Sequence, residues 1–312
     1  MHARSQDPRG RTVRIVVRAV ALLAATLIPL VLAAPACAGT LDRVSDTGRL
    51  RLGYRIDARP FSYRDESGNA AGYSVALCQK IADRVKAELA LPALTVEWVP
   101  VILEGRFLAV QQGRIDLLCG ADSVTLERRK EVSFSIPIFP GGVGAVLRVD
   151  APFGLRDALG GRLSVHGSAS QEQNLQQQTF SVIADTTSQR WLADRLEQLQ
   201  IGAKVVPVQS YEAGIQRVLD RGSSAFFGDR AILWDVAKRR GASQDLTILD
   251  RHFTYEPIAL ALARGDEDFR LLVDRTLSVL FASPGLRNLY AAWLGEPDEE
   301  TLTFFRLTAL PK

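Results

Sequence analysis

Metal ligands are scarce in this chain, with three histidines and three cysteines in 312 residues. His2, His166 and His252 lie far apart in sequence, so no short-spaced ligand set forms, which argues against a metal site. Nothing in the pattern calls for a cofactor. Beyond residues 19–34 there is no further stretch of about 18 apolar residues, which argues against an integral membrane protein. An excess of one charge is missing as well. Lys and Arg number 38 and Asp and Glu 35, but five of the arginines and only Asp7 fall in the first 38 residues. The remainder holds 33 basic and 34 acidic residues, which gives no support for a nucleic-acid partner.

What the N-terminus does have is a basic segment (Arg4, Arg9, Arg11, Arg14, Arg18), an apolar run and the small residues Ala36-Cys37-Ala38. Residues 1–38 therefore read as a secretory signal peptide, cleaved before Gly39. Cys37 opens a lipoprotein alternative, against which stand the Pro and the missing Leu in Ala34-Pro35-Ala36. About 270 residues remain, enough for one large or two small domains. They keep Cys78 and Cys119. In an oxidising, exported compartment that even pair reads as a disulfide between the first long predicted helix and a buried strand, the alternative being two free buried thiols.

The stretch from Arg106 to Pro140 organises the rest. Phe107, Leu108 and Val110 predict a short helix, Gly113 its end, and residues 115–119 a strand covered on both faces. Ligands of open α/β sheets bind beyond the carboxyl ends of such strands, which places residues 120–128 at a binding mouth. There Ser123 and the N-cap candidate Thr125 precede Arg128, whose guanidinium fork suits a carboxylate. The bland alternative makes Arg128 one of three basic residues on a solvated face.

Strands at residues 50–54 and 95–101, with a helix over 75–89 between them, predict a parallel sheet with crossover helices. After Pro140-Gly141-Gly142 the pattern restarts. A strand at 143–149, a helical turn at 155–159 and a strand at 163–165 lead to the loop His166-Gly167-Ser168-Ala169-Ser170, a candidate anion loop, and a helix over 171–179. A helix at 187–199, a strand at 203–207 and a helix opening at Tyr211 follow. The run 112–120 and the run 221–229 both read helix end, Gly, strand, loop, so two similar lobes are expected. Asp229 stands at the second exit, facing Arg128 at the first, an arrangement that suits a zwitterion. Strand 255–262 and helices 267–281 and 286–294 return the chain, giving two crossings, near 138–142 and 253–257, and hence a hinge.

These residues carry a resemblance. Gly53-Tyr54-Arg55, Pro60-Phe61-Ser62-Tyr63, Gly72-Tyr73-Ser74, Arg106, the run 116–120, Thr125-Leu126-Glu127-Arg128 with Phe134-Ser135, and Asp229 resemble the periplasmic amino-acid-binding proteins of ABC importers, extracellular solute-binding family 3, in their glutamate/aspartate-binding branch. The resemblance implies a two-lobed, type II periplasmic-binding-protein α/β fold, each lobe a mixed, mostly parallel sheet flanked by helices, with a two-strand hinge. The lobes would be residues 39–140 with 255–312, and residues 141–254. It implies a periplasmic, monomeric receptor that closes on an amino acid and delivers it to membrane permease subunits. Arg128 would clamp the α-carboxylate, Asp229 would accept the α-ammonium, and Arg55 and Arg106 would hold a side-chain carboxylate. His166, Ser168 and Tyr211 are further candidate contacts from the second lobe.

The chain also departs from that branch. Leu103 and Ala121 stand where small hydroxyl residues are usual, and Tyr211 where a His is expected. Three cations in one cleft would favour an anionic ligand. Two other functions fit the fold: a secreted dehydratase, for which the expected cleft offers only Asp229 and His166 as proton carriers, and a ligand-sensing subunit docked to a membrane sensor.

Overall fold

The computed structural model of the protein describes residues 39–161 and 175–311. Helix α1 (Thr40–Thr47) precedes the first central strand, β1 (Arg49–Arg55). A small three-stranded sheet follows, made of β2 (Asp57–Ala58), β3 (Ser62–Arg64) and β4 (Ala70–Ala71). Then come α2 (Tyr73–Glu88), β5 (Thr95–Val101), α3 (Arg106–Gln111), β6 (Leu117–Ser123) and β7 (Ser133–Phe134). The α2 helix has the expected stripe. Leu77, Cys78, Ile81, Ala82 and Val85 are buried while Gln79, Lys80, Asp83 and Lys86 face water, the spacing of one apolar helical face.

Beyond β7 the chain forms β8 (Val143–Arg148), α4 (Phe153–Gly160), β9 (Thr179–Ile183), α5 (Thr187–Gln198), β10 (Lys204–Val208), α6 (Tyr211–Leu219) and β11 (Ala225–Asp229). Then follow α7 (Arg230–Arg239), β12 (Leu246–Ile248), β13 (Ile258–Leu262), α8 (Glu267–Phe281), α9 (Gly285–Leu294) and α10 (Glu299–Thr308).

Two five-stranded sheets result, ordered β5-β1-β6-β13-β7 and β10-β9-β11-β8-β12. Each is mixed in the same way. Three strands run parallel on one side, and the two pairings beyond them are antiparallel. The continuous apolar runs Ile258–Leu262 and Ala225–Phe227 are buried, as strands covered on both faces must be. Cys78 and Cys119 form a disulfide that ties α2 to β6. Beside it the Ser74 hydroxyl donates to the Gly120 carbonyl at 2.7 Å, so the exit of β6 is held from two points.

Two segments cross between the sheets side by side. Ile258 N–H donates to the Phe139 carbonyl at 2.9 Å and Glu256 N–H to the Gly141 carbonyl at 2.8 Å. The glycines there are required by proximity: a Cβ on Gly142 would come within 2.1 Å of the Thr254 carbonyl oxygen, and one on Gly141 within 2.7 Å of that of Glu256. A paired, side-chain-free crossing is stiff in translation yet able to twist, which suits a hinge.

The structure corrects four local expectations. Residues 120–123 belong to β6 rather than to a loop, because Ile258 and Ala259 pair with Ser123 and Asp122 and prolong the ladder. Behind Thr125 there is a single 3-10 turn, Arg128–Lys130, in place of a regular helix. The helix expected over 171–179 ends earlier, since Thr179 opens β9. The strand expected from Tyr255 begins at Ile258, because residues 254–257 form the crossing. Helix α10 was not foreseen. The strand expected at 163–165 lies outside the described residues.

Candidate functional site

Three arginines from separate elements of the first sheet region meet at one wall. Arg55 ends β1. Its backbone N–H donates to the Ser62 hydroxyl at 2.9 Å, and its guanidinium reaches Asp57 Oδ1 from Nε at 2.9 Å and from Nη2 at 2.7 Å. Arg106 opens α3, lies over the Phe107 ring at 4.2 Å, and donates to the Asp122 carboxylate and the Leu103 carbonyl. Arg128 is set by its turn. Its N–H donates to the Thr125 hydroxyl at 3.1 Å, and its Nη1 to the Ser123 carbonyl at 2.8 Å. All three are buried, at 7–8 % exposure, far below what a solvated face would allow.

Asp122 is the counter-charge of this wall. Burial alone would raise its pKa, but the charges of Arg106, Arg128 and Arg55 outweigh that and hold it below the ordinary carboxylate range. Its Oδ2 has no hydrogen-bond partner among the described residues. Gly120 makes the space: a Cβ there would stand 2.2 Å from that oxygen. Arg55 and Arg106 are already paired, with Asp57 and Asp122, and Arg128 has no ion pair among the described residues. Burial lowers the Arg128 pKa to about 10, with Arg106 and Arg190 adding to the effect and Asp122 and Glu256 opposing it. It stays a cation at neutral pH.

The opposite wall belongs to the second sheet region. Asp229 ends β11 and caps α7, its Oδ1 accepting from Ala231 N–H at 3.0 Å and Ile232 N–H at 3.3 Å. Burial pushes its pKa up to about 7, against the pull of these N–H groups. The Tyr211 hydroxyl accepts from Asp229 N–H at 3.0 Å, and Gly228 leaves room for the ring, since a Cβ there would meet it at 2.7 Å. Burial and the Asp229 charge raise the Tyr211 pKa, so the phenol stays protonated.

Between these walls lies a cavity of about 60 Å³, room for several water-sized groups and small beside pockets that hold larger ligands. Arg55, Arg106, Arg128, Ser123, Tyr211 and Asp229 line it, and so do the departures Leu103 and Ala121. Thr125 does not line it; it acts on the cavity through the Arg128 turn. His166 and Ser168 lie outside the described residues.

Two groups of lining residues were missed by sequence reasoning. Thr186, Thr187 and Ser188 stand at the N-terminus of α5, on the cavity wall. Thr186 is the cap, its hydroxyl accepting from Gln189 N–H at 3.3 Å while Gln189 Oε1 accepts from Asp185 N–H at 2.8 Å. The signal was present as Thr-x-x-Gln before an apolar helix, the pattern of a reciprocal cap. The other is Glu256, on the crossing segment, which carries no sequence signal beyond its place near a Pro. The free backbone N–H groups and positive end of α5 favour negative charge, while Asp229 and Glu256 favour a cation.

Known proteins share this architecture. The L-glutamate/L-aspartate-binding protein of Pseudomonas aeruginosa is 28% identical over 281 residues, 88% of each chain. The glutamate/aspartate import solute-binding protein of Escherichia coli is 25% identical over 265 residues, 85% of this chain and 82% of its own. Among solved structures, an ancestral amino acid-binding protein, a precursor of cyclohexadienyl dehydratase, superposes with a TM-score of 0.66 at 24% identity, covering 82% of this chain and 100% of that one. The fold is the two-lobed type II periplasmic-binding-protein fold. Residues 50–296 match the family model of the bacterial extracellular solute-binding proteins, family 3, and the chain belongs to that family.

Proposed function

We propose that this protein is a periplasmic receptor for an amino acid with an acidic side chain, which it captures between its lobes and hands to the permease of an ABC importer. The lobes are residues 39–140 with 255–312, and residues 141–254. Residues 1–38 serve as the export signal. The observation that carries the reading is the division of charge across the cavity: Arg128, a buried cation with no ion pair among the described residues, opposite the carboxylates of Asp229 and Glu256. An α-carboxylate on Arg128 and an α-ammonium toward Asp229 orient an amino acid across the cleft. Its side-chain carboxylate then meets Arg55 and Arg106 and the N-terminus of α5.

A neutral polar side chain is the second reading, favoured by the pairing of Arg55 with Asp57 and Arg106 with Asp122. Thermal denaturation of ligand-stripped mature protein with the twenty amino acids and common dicarboxylates separates the two, because a ligand that binds the folded state raises the melting temperature by mass action. Glutamate or aspartate should give the largest rise; glutamine or asparagine in their place would favour the neutral reading. Arg128→Ala should weaken binding by about a hundredfold or more, the loss of a charge-assisted buried contact, while leaving the ligand-free melting temperature nearly unchanged. Retained affinity would remove Arg128 from the clamp. Ligand recovered unchanged after long incubation distinguishes a receptor from a dehydratase.

A further inference from the structure

We infer that Glu256 is a second acceptor for the ligand's ammonium group, and that it makes the hinge itself part of the amino-acid site. The inference rests on the reading of the cavity as an amino-acid site and extends it to a residue outside the two sheets.

The need for a second acceptor follows from how Asp229 is used. Its Oδ1 already accepts from the N–H groups of Ala231 and Ile232, and a backbone contact with Gly142 also favours its ionised form. An ammonium group brings three donors. With Oδ1 committed to the helix cap, only Oδ2 is left to face those three donors. Glu256 also lines the cavity, from the crossing segment, and unlike the lining carboxylate Asp57 it is not paired with an arginine; its charge acts on both Asp229 and Arg128, the two groups that would hold the backbone of an amino acid. Among the described residues its carboxylate takes one hydrogen bond, from the Thr254 hydroxyl to Oε1 at 2.9 Å, and no ion pair. The rest of its acceptor capacity is open to a cation.

That single hydrogen bond is itself informative. The Thr254 hydroxyl also accepts from Val143 N–H at 3.0 Å, and Glu256 N–H donates to the Gly141 carbonyl at 2.8 Å. A line of hydrogen bonds therefore runs from the first crossing segment, through Thr254, to the carboxylate on the cavity wall. Fixing that carboxylate on an ammonium group orders both crossing segments together. Binding and hinge geometry are coupled through one side chain.

The test uses mature protein, Glu256→Gln and Glu256→Asp, and calorimetric titration with L-glutamate and with glutarate, which lacks the ammonium group. Glu256→Gln keeps the shape and the Thr254 contact but removes the charge. Expected is a loss of glutamate affinity of about tenfold or more with glutarate binding unchanged or tighter, so that the preference for the amino acid collapses; Glu256→Asp should recover part of it. Equal weakening of both ligands would show a structural role and overturn the assignment. So would unchanged glutamate affinity in Glu256→Gln. If the unaltered protein binds a neutral amino acid in place of glutamate, the acidic reading of the site falls and the same comparison is made with that amino acid and its analogue lacking the ammonium group; binding of no amino acid overturns the site reading and the Glu256 assignment with it.

Discussion

A buried aspartate that caps a helix is usually ionised, yet burial places Asp229 near pH 7. The sign of the consequence follows from the direction of that shift. A carboxyl raised in the folded, ligand-free, closed form stabilises that form below its ordinary pKa of 3.8, and the contribution is lost as pH rises through about 7. An ammonium ligand reverses the preference, because it favours the carboxylate. Glu256 raises the Asp229 pKa further, and the Tyr211 hydroxyl stays neutral, so Asp229 is the group beside the ammonium position poised to change charge near neutrality. Binding should therefore release a proton below pH 7, with affinity falling by up to about tenfold per pH unit on the acid side. Calorimetry in buffers of different ionisation enthalpy reads the proton directly. Asp229→Asn should abolish both the release and the slope, and a slope that persists in that variant would assign the proton elsewhere.

At the scale of elements, the helix α5 presents its N-terminus to the cavity with Thr186 as its cap. Thr186→Ala should cost about 1 kcal/mol, read as a fall of about 2–4 °C in the ligand-free melting temperature. It should also weaken an acidic ligand more than a neutral one, since the cap fixes the N–H groups that would face the side-chain carboxylate. A uniform loss across ligands would leave α5 as a wall without a binding role. This helix also marks how far the sequence could be read. The first lobe was legible because Gly113, the apolar run from Ile115 and the stripe on α2 each state one structure; the helix end and the stripe are found, and the strand is found two residues later in its start and four later in its end. In the second half of the chain two short polar runs containing Ser or Thr follow one another in sequence, at 166–170 and at 185–188, each ahead of a helical pattern. Nothing in the residues between them stops a helix sharply, so the expected helix was carried to Thr179, residues 180–186 were left unassigned, and the strand before α5 was missed. The arginines were legible as cations, and Asp57, two residues on, as a salt-bridge partner for Arg55; the counter-charge Asp122 was not. Asp122 reads as a polar loop residue until Gly120 and the pairing with β13 make its stretch a buried strand.

The two sheet regions are joined across more than the ligand cavity. Arg59, held over the Tyr63 ring at 4.6 Å in the first lobe, reaches Asp235 on α7 of the second at 3.3 Å. Asp235 in turn binds Arg239 at 2.7 Å, and Arg239 binds Glu212 at 3.2 Å. The pair sits at the rim, with Arg59 at 43% exposure, so solvent screens it and it is worth at most about 1 kcal/mol. That amount is small for folding but direct for closure, because opening the lobes must break it while unfolding need not be probed at all. In the proposed hinge closure, a pair that bridges the lobes holds the ligand in rather than drawing it in, so its loss belongs in the off-rate. Arg59→Ala should speed dissociation by up to about fivefold in low salt, with the association rate unchanged. The difference between variant and unaltered protein should shrink toward nothing in about 1 M salt, where charges further apart than about 3 Å no longer feel each other. Stopped-flow dissociation at the two ionic strengths decides the matter: a salt-independent difference would assign the effect of Arg59 to its packing on Tyr63 instead of to the bridge between the lobes.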